Sequence, residues 1–232
     1  MLDHAIEARV SGTRPLSPSV LELTLEPRAP FRFVAGQYLR LFVPGSTTPP
    51  DAGWIPYSIG SAPDEEGLTL MIKLGAHRAS DYVEGLAIGS TVRIDGPFGR
   101  FGWSARVVEQ SILIGGGTGL APLRSLIRSR RSESGNAPRR ILVLGASVPD
   151  ELLYYDELSA ALGMDFWPVV IAPSPNFKGD VGLVTDVLAR RGGEIAWERA
   201  HFYLCGPAAM LAALRPFLAD RGVAAEAITD EH

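Results

Sequence analysis

Three short segments carry residue types at spacings that can do chemistry. The run Ile112-Leu-Ile-Gly-Gly-Gly-Thr-Gly-Leu-Ala-Pro, ending at Pro122, is an apolar stretch that opens into Gly115, Gly116, Gly117 and Gly119. Glycines at a strand-to-helix turn let backbone amides approach a phosphate, and the helix dipole favours negative charge there. Counted from Gly115 and Gly117, the third position of the common G-x-G-x-x-G fingerprint is Leu120, so the run fits either a pyrophosphate cradle or a tight turn. In Phe202-Tyr-Leu-Cys-Gly-Pro-Ala-Ala-Met a strand ends at Leu204 and Cys205, Gly206 and Pro207 turn the chain. Ligands of open α/β sheets bind beyond the carboxyl ends of the strands, which places Cys205 at a crevice; a small buried hydrophobe is the alternative. In Ile55-Pro-Tyr-Ser-Ile-Gly-Ser-Ala-Pro, Tyr57 offers an aromatic face and Ser58 a hydroxyl, although an ordinary strand reads the same way.

The elements that must position these segments fall into two textures. From residue 5 to about 96, short alternating segments punctuated by Gly and Pro predict antiparallel strands at Ala5–Thr13, Val20–Glu26, Tyr38–Val43, Tyr57–Ser61, Leu68–Leu74 and Thr91–Asp95. A short helix capped by Ser80 is expected before the sixth strand. After Gly102, apolar runs at Ser111–Ile114, Ile141–Leu144, Phe166–Ile171 and His201–Leu204 alternate with helical periodicity, as in a parallel sheet covered on both faces. Leu123, Leu126 and Ile127 form the apolar stripe of the first helix, opposite Arg124, Arg128 and Arg131. Met210, Leu211, Leu214, Phe217 and Leu218 form a second, which Pro216 is expected to kink or split. The expected architecture is β + α/β: a six-stranded antiparallel barrel over residues 1–102, then a parallel-sheet α/β domain over 108–232.

Composition narrows the function class. The 232 residues are 46% hydrophobic and 21% charged, the make-up of a soluble globular protein. A net charge of −4 argues against a nucleic-acid binder held by phosphate contacts. Six arginines (Arg124, Arg128, Arg130, Arg131, Arg139 and Arg140) read as a solvated helix face and loop rather than a docking patch. The single cysteine, Cys205, allows no internal disulfide and no cysteine-ligated cluster, and His4, His77, His201 and His232 lack metal-ligand spacing, so no metal site is expected. The early acid of Met-Leu-Asp-His-Ala-Ile-Glu argues against a signal peptide, and no apolar run is long enough to cross a bilayer, which predicts a cytoplasmic protein without membrane contact.

Taken in order, the motifs resemble those of the ferredoxin–NADP reductase superfamily over nearly the whole chain. Ile55–Ser61 is similar to its Arg-x-Tyr-Ser flavin motif, Gly115–Pro122 to its Gly-Gly-Gly-Thr-Gly-x-Ala-Pro loop, and Cys205–Met210 to its Cys-Gly-Pro-x-x-Met motif; Gly36-Gln-Tyr and Gly96-Pro-Phe-Gly also match. The resemblance implies a flavin-binding barrel followed by a nicotinamide-binding domain, and hydride transfer from NAD(P)H to flavin N5 across about 3 to 3.5 Å. It further implies that Tyr57 stacks on the isoalloxazine, that Ser58, next to Ile59, hydrogen-bonds near N5, and that Gly75 to Ser80 hold the flavin phosphates. Gly116, Thr118 and Gly119, in the loop closed by Pro122, would hold the nicotinamide pyrophosphate. Cys205 would lie beside nicotinamide C4, with Gly206, Pro207 and Met210 completing its motif, and Glu231 would be an electrostatic or proton-relay partner. Ser147 and Lys178 are the candidate contacts to the adenosine end, and the nearby Asp150 and Glu151 favour NADH over NADPH.

Two positions depart from the pattern. Ile55 stands where the family usually has an Arg that pairs with a flavin phosphate, which implies weakly held FAD, FMN, or a flavin that exchanges as substrate. His232 stands where an aromatic residue often covers the flavin. The implied electron acceptor is external: a ferredoxin, an oxygenase component or free flavin. The alternative reading is a non-catalytic flavin- or nucleotide-binding subunit of a redox complex.

Overall fold

Alternating apolar and polar residues build the first half of the chain as β1 (Ile6–Ser17), β2 (Val20–Pro27), β3 (Tyr38–Phe42), β4 (Trp54–Ser58), β5 (Leu68–Lys73) and β6 (Thr91–Phe98). The computed structural model describes residues 5–45, 53–75, 78–129 and 138–231. The six strands pair antiparallel in the order β4-β3-β6-β1-β2-β5, and an antiparallel bridge from Ile59 to Leu70 joins the two ends of that order, closing the sheet into a barrel. Inward-facing Val10, Leu23, Leu25, Leu39, Leu41, Ile72 and Ile94 fill it, so the interior is a packed core rather than a channel.

The boundaries shift from the expected ones for reasons of pairing. β4 begins at Trp54, not Tyr57, because Phe42, Leu41 and Leu39 of β3 take Trp54, Ile55 and Tyr57 as cross-strand partners. Helix α1 (Arg78–Glu84) starts before Ser80, which is its third residue and buried rather than its cap. Ala79 and Val83, one turn apart and both fully buried, seat the helix and carry its start back past Ser80.

The second half supplies β7 (Gln110–Gly116), β8 (Arg139–Ala146), β9 (Phe166–Val170), β10 (Asp180–Val181), β11 (Ala200–Cys205) and β12 (Ile228–Asp230), all parallel, in the order β10-β9-β8-β7-β11-β12. β10 and β12, two and three residues long, were not expected; edge strands this short show no period. Helices α2 (Leu120–Arg128), α3 (Tyr155–Leu162), α4 (Val184–Arg190) and α5 (Ala208–Ala219) complete it. From β7 the chain winds outward through β8 to β10 and returns on the other side as β11, so the topological switch point lies between β7 and β11. α5 runs unbroken through Pro216. The ring lies on the exposed face opposite buried Leu211, Leu214 and Leu218, and the helix carbonyl it leaves without a donor belongs to exposed Ala212, where water can replace the lost bond.

The chain divides into two compact units, Met1–Trp103 with Arg124–Ser129, and Ser104–Leu123 with Arg130–His232. The last turns of α2 thus group with the barrel, whereas the expected domain limits put the whole helix in the second domain. The solvated-face reading of the arginines fails at Arg124, which is only 7% exposed; Arg128 and Arg139 are exposed, ion-paired with Glu65 and Asp165, Arg140 is half-exposed, and Arg130 and Arg131 lie outside the described residues.

His201, 2% exposed on β11, pairs its Nε2 with Thr229 Oγ1 at 2.8 Å, and its Nδ1 is buried without a partner among the described residues. Burial, with a smaller contribution from the charge of Arg106, pushes its pKa down to about 4. The folded state therefore keeps the ring neutral while the unfolded chain protonates it near pH 6.5, so this contribution to stability is present above that pH and is lost as pH falls toward 4. Between about pH 7 and pH 4.5 the melting temperature of the wild type should fall more steeply than that of His201→Gln, which carries no titrating ring. Parallel melting curves for the two proteins would disprove the assignment.

Candidate functional site

In the first unit Tyr57 and Ser58 stand where β4 leaves the barrel wall. Tyr57 lies opposite Leu39 with its ring against the barrel core, and Ser58, the next residue, lies opposite Tyr38 on the other face, as strand alternation requires. The Tyr57 hydroxyl is buried with no partner among the described residues, and burial raises its pKa to about 12, so it is a neutral phenol. Ile59, the residue after Ser58, sends its side chain into the core and donates its amide to the Gln37 carbonyl at 3.0 Å. Gln37 in turn accepts from the Val34 amide and donates to the Gly99 carbonyl, which ties the Gly36-Gln-Tyr motif to Gly96-Pro-Phe-Gly. Gly75 holds a left-handed φ of +69° with open space on its Cβ side, and Ser80 is buried nearby in sequence on α1; Ala76, His77 and the Arg78 side chain lie outside the described residues. Ile55 is half-buried on the same face as Tyr57. Arg40, the nearest cation along β3, is committed to Asp95 at 2.6 Å.

In the second unit, the loops after β7 and β11 interlock at the switch point. A Cβ on Gly119 would stand 2.4 Å from the Cys205 carbonyl oxygen and 2.6 Å from Gly206 Cα. One on Gly206 would meet Met210 Cε at 2.4 Å and Gly116 N at 3.1 Å, and one on Gly116 would meet Pro207 Cδ at 3.1 Å. Backbone packs on backbone, which only glycine allows. Gly117, by contrast, has a left-handed φ of +54° and nothing within 4 Å on its Cβ side, so the loop is closed toward the protein and open at its crest. Thr118 is half-buried beside it, and Pro122 is buried in the first turn of α2.

Cys205 ends β11 with its thiol donating to Glu231 Oε2 at 3.1 Å. β12 brings the carboxylate there: Asp230 is in register with Leu204, and the Glu231 amide donates to the Leu204 carbonyl. Burial above all, then the charge and hydrogen bond of Glu231, push the thiol well above its ordinary pKa. It is neutral near pH 7 and does not act as a thiolate. Cys205 is thus a small buried side chain, as the alternative reading expects, yet one that is polar-paired with Glu231.

A further cavity of about 350 Å³ opens beyond the carboxyl ends of β8 and β9, lined by Pro149, Leu152, Tyr155, Ser174, Asn176, Phe177 and Lys178. Lys178 lies on its wall; Ser147 does not. Tyr155 and Phe177 were missed, because lone aromatics near a helix start and in a loop carry no motif. Among the described residues no group of three His, Cys, Asp or Glu side chains could hold a metal, and no helix is long and apolar enough to cross a membrane.

These features fit the groups the motifs imply. The partnerless Tyr57 hydroxyl and half-buried ring suit an aromatic ligand on β4, and the open crest over Gly117 at the start of α2 suits a phosphate, with a cavity for the remainder of a dinucleotide in the same unit. Comparison with known proteins agrees. Residues 8–103 match the oxidoreductase FAD-binding domain family and residues 113–215 the oxidoreductase NAD-binding domain family. Ferredoxin–NADP reductase B of Sorangium cellulosum is 33% identical over 222 residues, covering 90% of this chain and 89% of that protein. The reductase component of propane 2-monooxygenase from Rhodococcus jostii is 31% identical over 228 residues, 94% of this chain, and the chain spans only 60% of that protein's length. The crystal structure of a ferredoxin NADP+ reductase from Neisseria gonorrhoeae with bound FAD and NADP has the same fold, with a TM-score of 0.83 at 22% identity, covering 98% of both chains.

Proposed function

Because this chain belongs to the ferredoxin–NADP reductase superfamily, whose members are NAD(P)H-dependent flavin oxidoreductases, we propose that it passes electrons from NADH through bound FAD to an external acceptor. The observation that carries this reading is the interlocked loop pair of Gly116–Gly119 and Cys205–Pro207, with the Cys205 thiol held on Glu231 at its edge. Bound flavin supplies the chemistry that accepts a hydride and releases electrons onward. The chain's own residues bind and orient. The neutral phenol of Tyr57 presents a ring for stacking without competing charge, and the Ser58 hydroxyl serves as donor at the strand end. Gly117 to Gly119, at the start of α2, would hold a pyrophosphate through their amides. The neutral thiol of Cys205 lines the nicotinamide site without attacking it, and Glu231 holds that thiol in one orientation.

NADH is the proposed coenzyme, since a 2′-phosphate entering the cavity would meet Lys178 but also Asp150 and Glu151 on the turn between lining residues Pro149 and Leu152. The likeness to an oxygenase reductase component supports an oxygenase component or another small redox protein as acceptor. Free flavin is the second reading, favoured by Ile55: without a guanidinium there, flavin binding loses about 1.5 to 3 kcal/mol, or roughly one to two decades of affinity. Titrated with FAD, the protein should bind it and the bound flavin should bleach on anaerobic addition of NADH, with much of the flavin lost on gel filtration. Failure to bind or to bleach would overturn the proposal. A kcat/KM for NADPH more than about tenfold above that for NADH, measured with ferricyanide, would overturn the coenzyme assignment alone.

A further inference from the structure

The described part of α2 is buried on nearly every side: Leu120, Ala121, Pro122, Leu123, Arg124, Ser125 and Leu126 are all inaccessible, where periodicity predicts one apolar stripe. Two of the seven are polar, and burying them is costly unless each is bonded. Both are, and both spend their bonds on the backbone that follows the Tyr57-Ser58 strand end. Arg124 Nη1 donates to the Gly60 carbonyl at 2.7 Å, and Ser125 Oγ donates to the Ser61 carbonyl at 2.7 Å. One helical turn on, Arg128 is ion-paired with Glu65, whose other oxygen accepts from the Ala62 amide. Ser61 is fixed from its own side as well, its hydroxyl donating to the Gly67 carbonyl and accepting from the Thr69 amide. Three consecutive residues, Gly60 to Ala62, are thus held from α2 directly or through Glu65.

We infer that Arg124, seconded by Ser125, is a positioning residue for flavin: through the Gly60 and Ser61 carbonyls it fixes where β4 ends, and with it the placement of the Tyr57 ring and the Ser58 hydroxyl. This rests on the flavin reading above and adds to it a residue that touches no cofactor. A lysine at 124 can still reach one carbonyl with a charged donor, whereas methionine keeps the apolar stem and loses the donor. A charge-assisted bond of this kind sets a loss of about tenfold in FAD affinity for Arg124→Met, with a smaller loss for Ser125→Ala, which scarcely changes volume.

The test is FAD titration with visible circular dichroism of the bound flavin, alongside the melting temperature of the flavin-free proteins. Arg124→Met should bind FAD about tenfold more weakly with an altered flavin dichroism, Arg124→Lys should restore most of both, and Ser125→Ala should shift the dichroism at nearly wild-type flavin-free melting temperature. Wild-type affinity and dichroism in Arg124→Met and Ser125→Ala would overturn the inference. So would losses that track a lowered flavin-free melting temperature and are not rescued by lysine, the pattern of a purely structural residue. Should Arg124→Met not fold, Ser125→Ala with Arg124→Lys decides by the same readouts. Absence of FAD binding by the wild type would instead refute the flavin reading itself.

Discussion

Gly119→Ala should raise the KM for NADH by about a hundredfold and lower the melting temperature by several degrees. The added methyl would lie 2.4 Å from the Cys205 carbonyl oxygen and 2.6 Å from Gly206 Cα, both backbone, so no side chain can swing aside. The loops after β7 and β11 must separate by about 1 Å, the scale of misplacement that costs two decades when it moves a binding group. Overpacking of this kind also costs about 1 to 3 kcal/mol of stability. Gly117→Ala is the contrasting variant. Its methyl meets nothing within 4 Å, so the cost to the fold is the left-handed φ alone, about 1 to 2 kcal/mol, and the Cys205 loop stays in place. Steady-state kinetics and thermal melts of both variants check this, and a wild-type KM in Gly119→Ala would show that the interlock does not shape the nucleotide site.

Cys205→Ala should slow flavin reduction by NADH about tenfold or more while leaving flavin absorbance unchanged and the melting temperature within a few degrees of the wild type. The thiol is small, and it donates to Glu231 at 3.1 Å, so its removal leaves a shallow void and a carboxylate without that donor. Cys205→Ser, whose hydroxyl can donate to the same carboxylate, should recover part of the rate. Because burial and Glu231 hold the thiol neutral, the rate should show no ionisation of Cys205 between about pH 6 and 9. Stopped-flow reduction under anaerobic conditions gives the rates. An unchanged rate together with a clear loss of stability would return Cys205 to the role of a buried packing residue.

What the sequence determined by itself is what depends on neighbours in the chain. Period-two alternation over Val20–Pro27 or Tyr38–Phe42, apolar runs such as Ile112–Ile114, and glycines at a strand-to-helix turn act over a few residues, so both sheets and the glycine turn after β7 were legible before any tertiary contact was known. Tertiary structure decided the residues whose energies come from distant partners. Arg124 reads as one more solvated arginine until Gly60, 64 positions away, supplies the carbonyl that lets it be buried. Cys205 acquires an oriented thiol only when β12 brings Glu231, 26 positions on, to its side. Ser80 lost its expected cap because Ala79 and Val83 buried the helix on the barrel, and Ile59 was drawn into the core by the bridge to Leu70 that closes it. Burial of a polar or charged group is tolerated only with a partner, and the partner's position along the chain is free, which is why periodicity reports the elements but not the bonds between them.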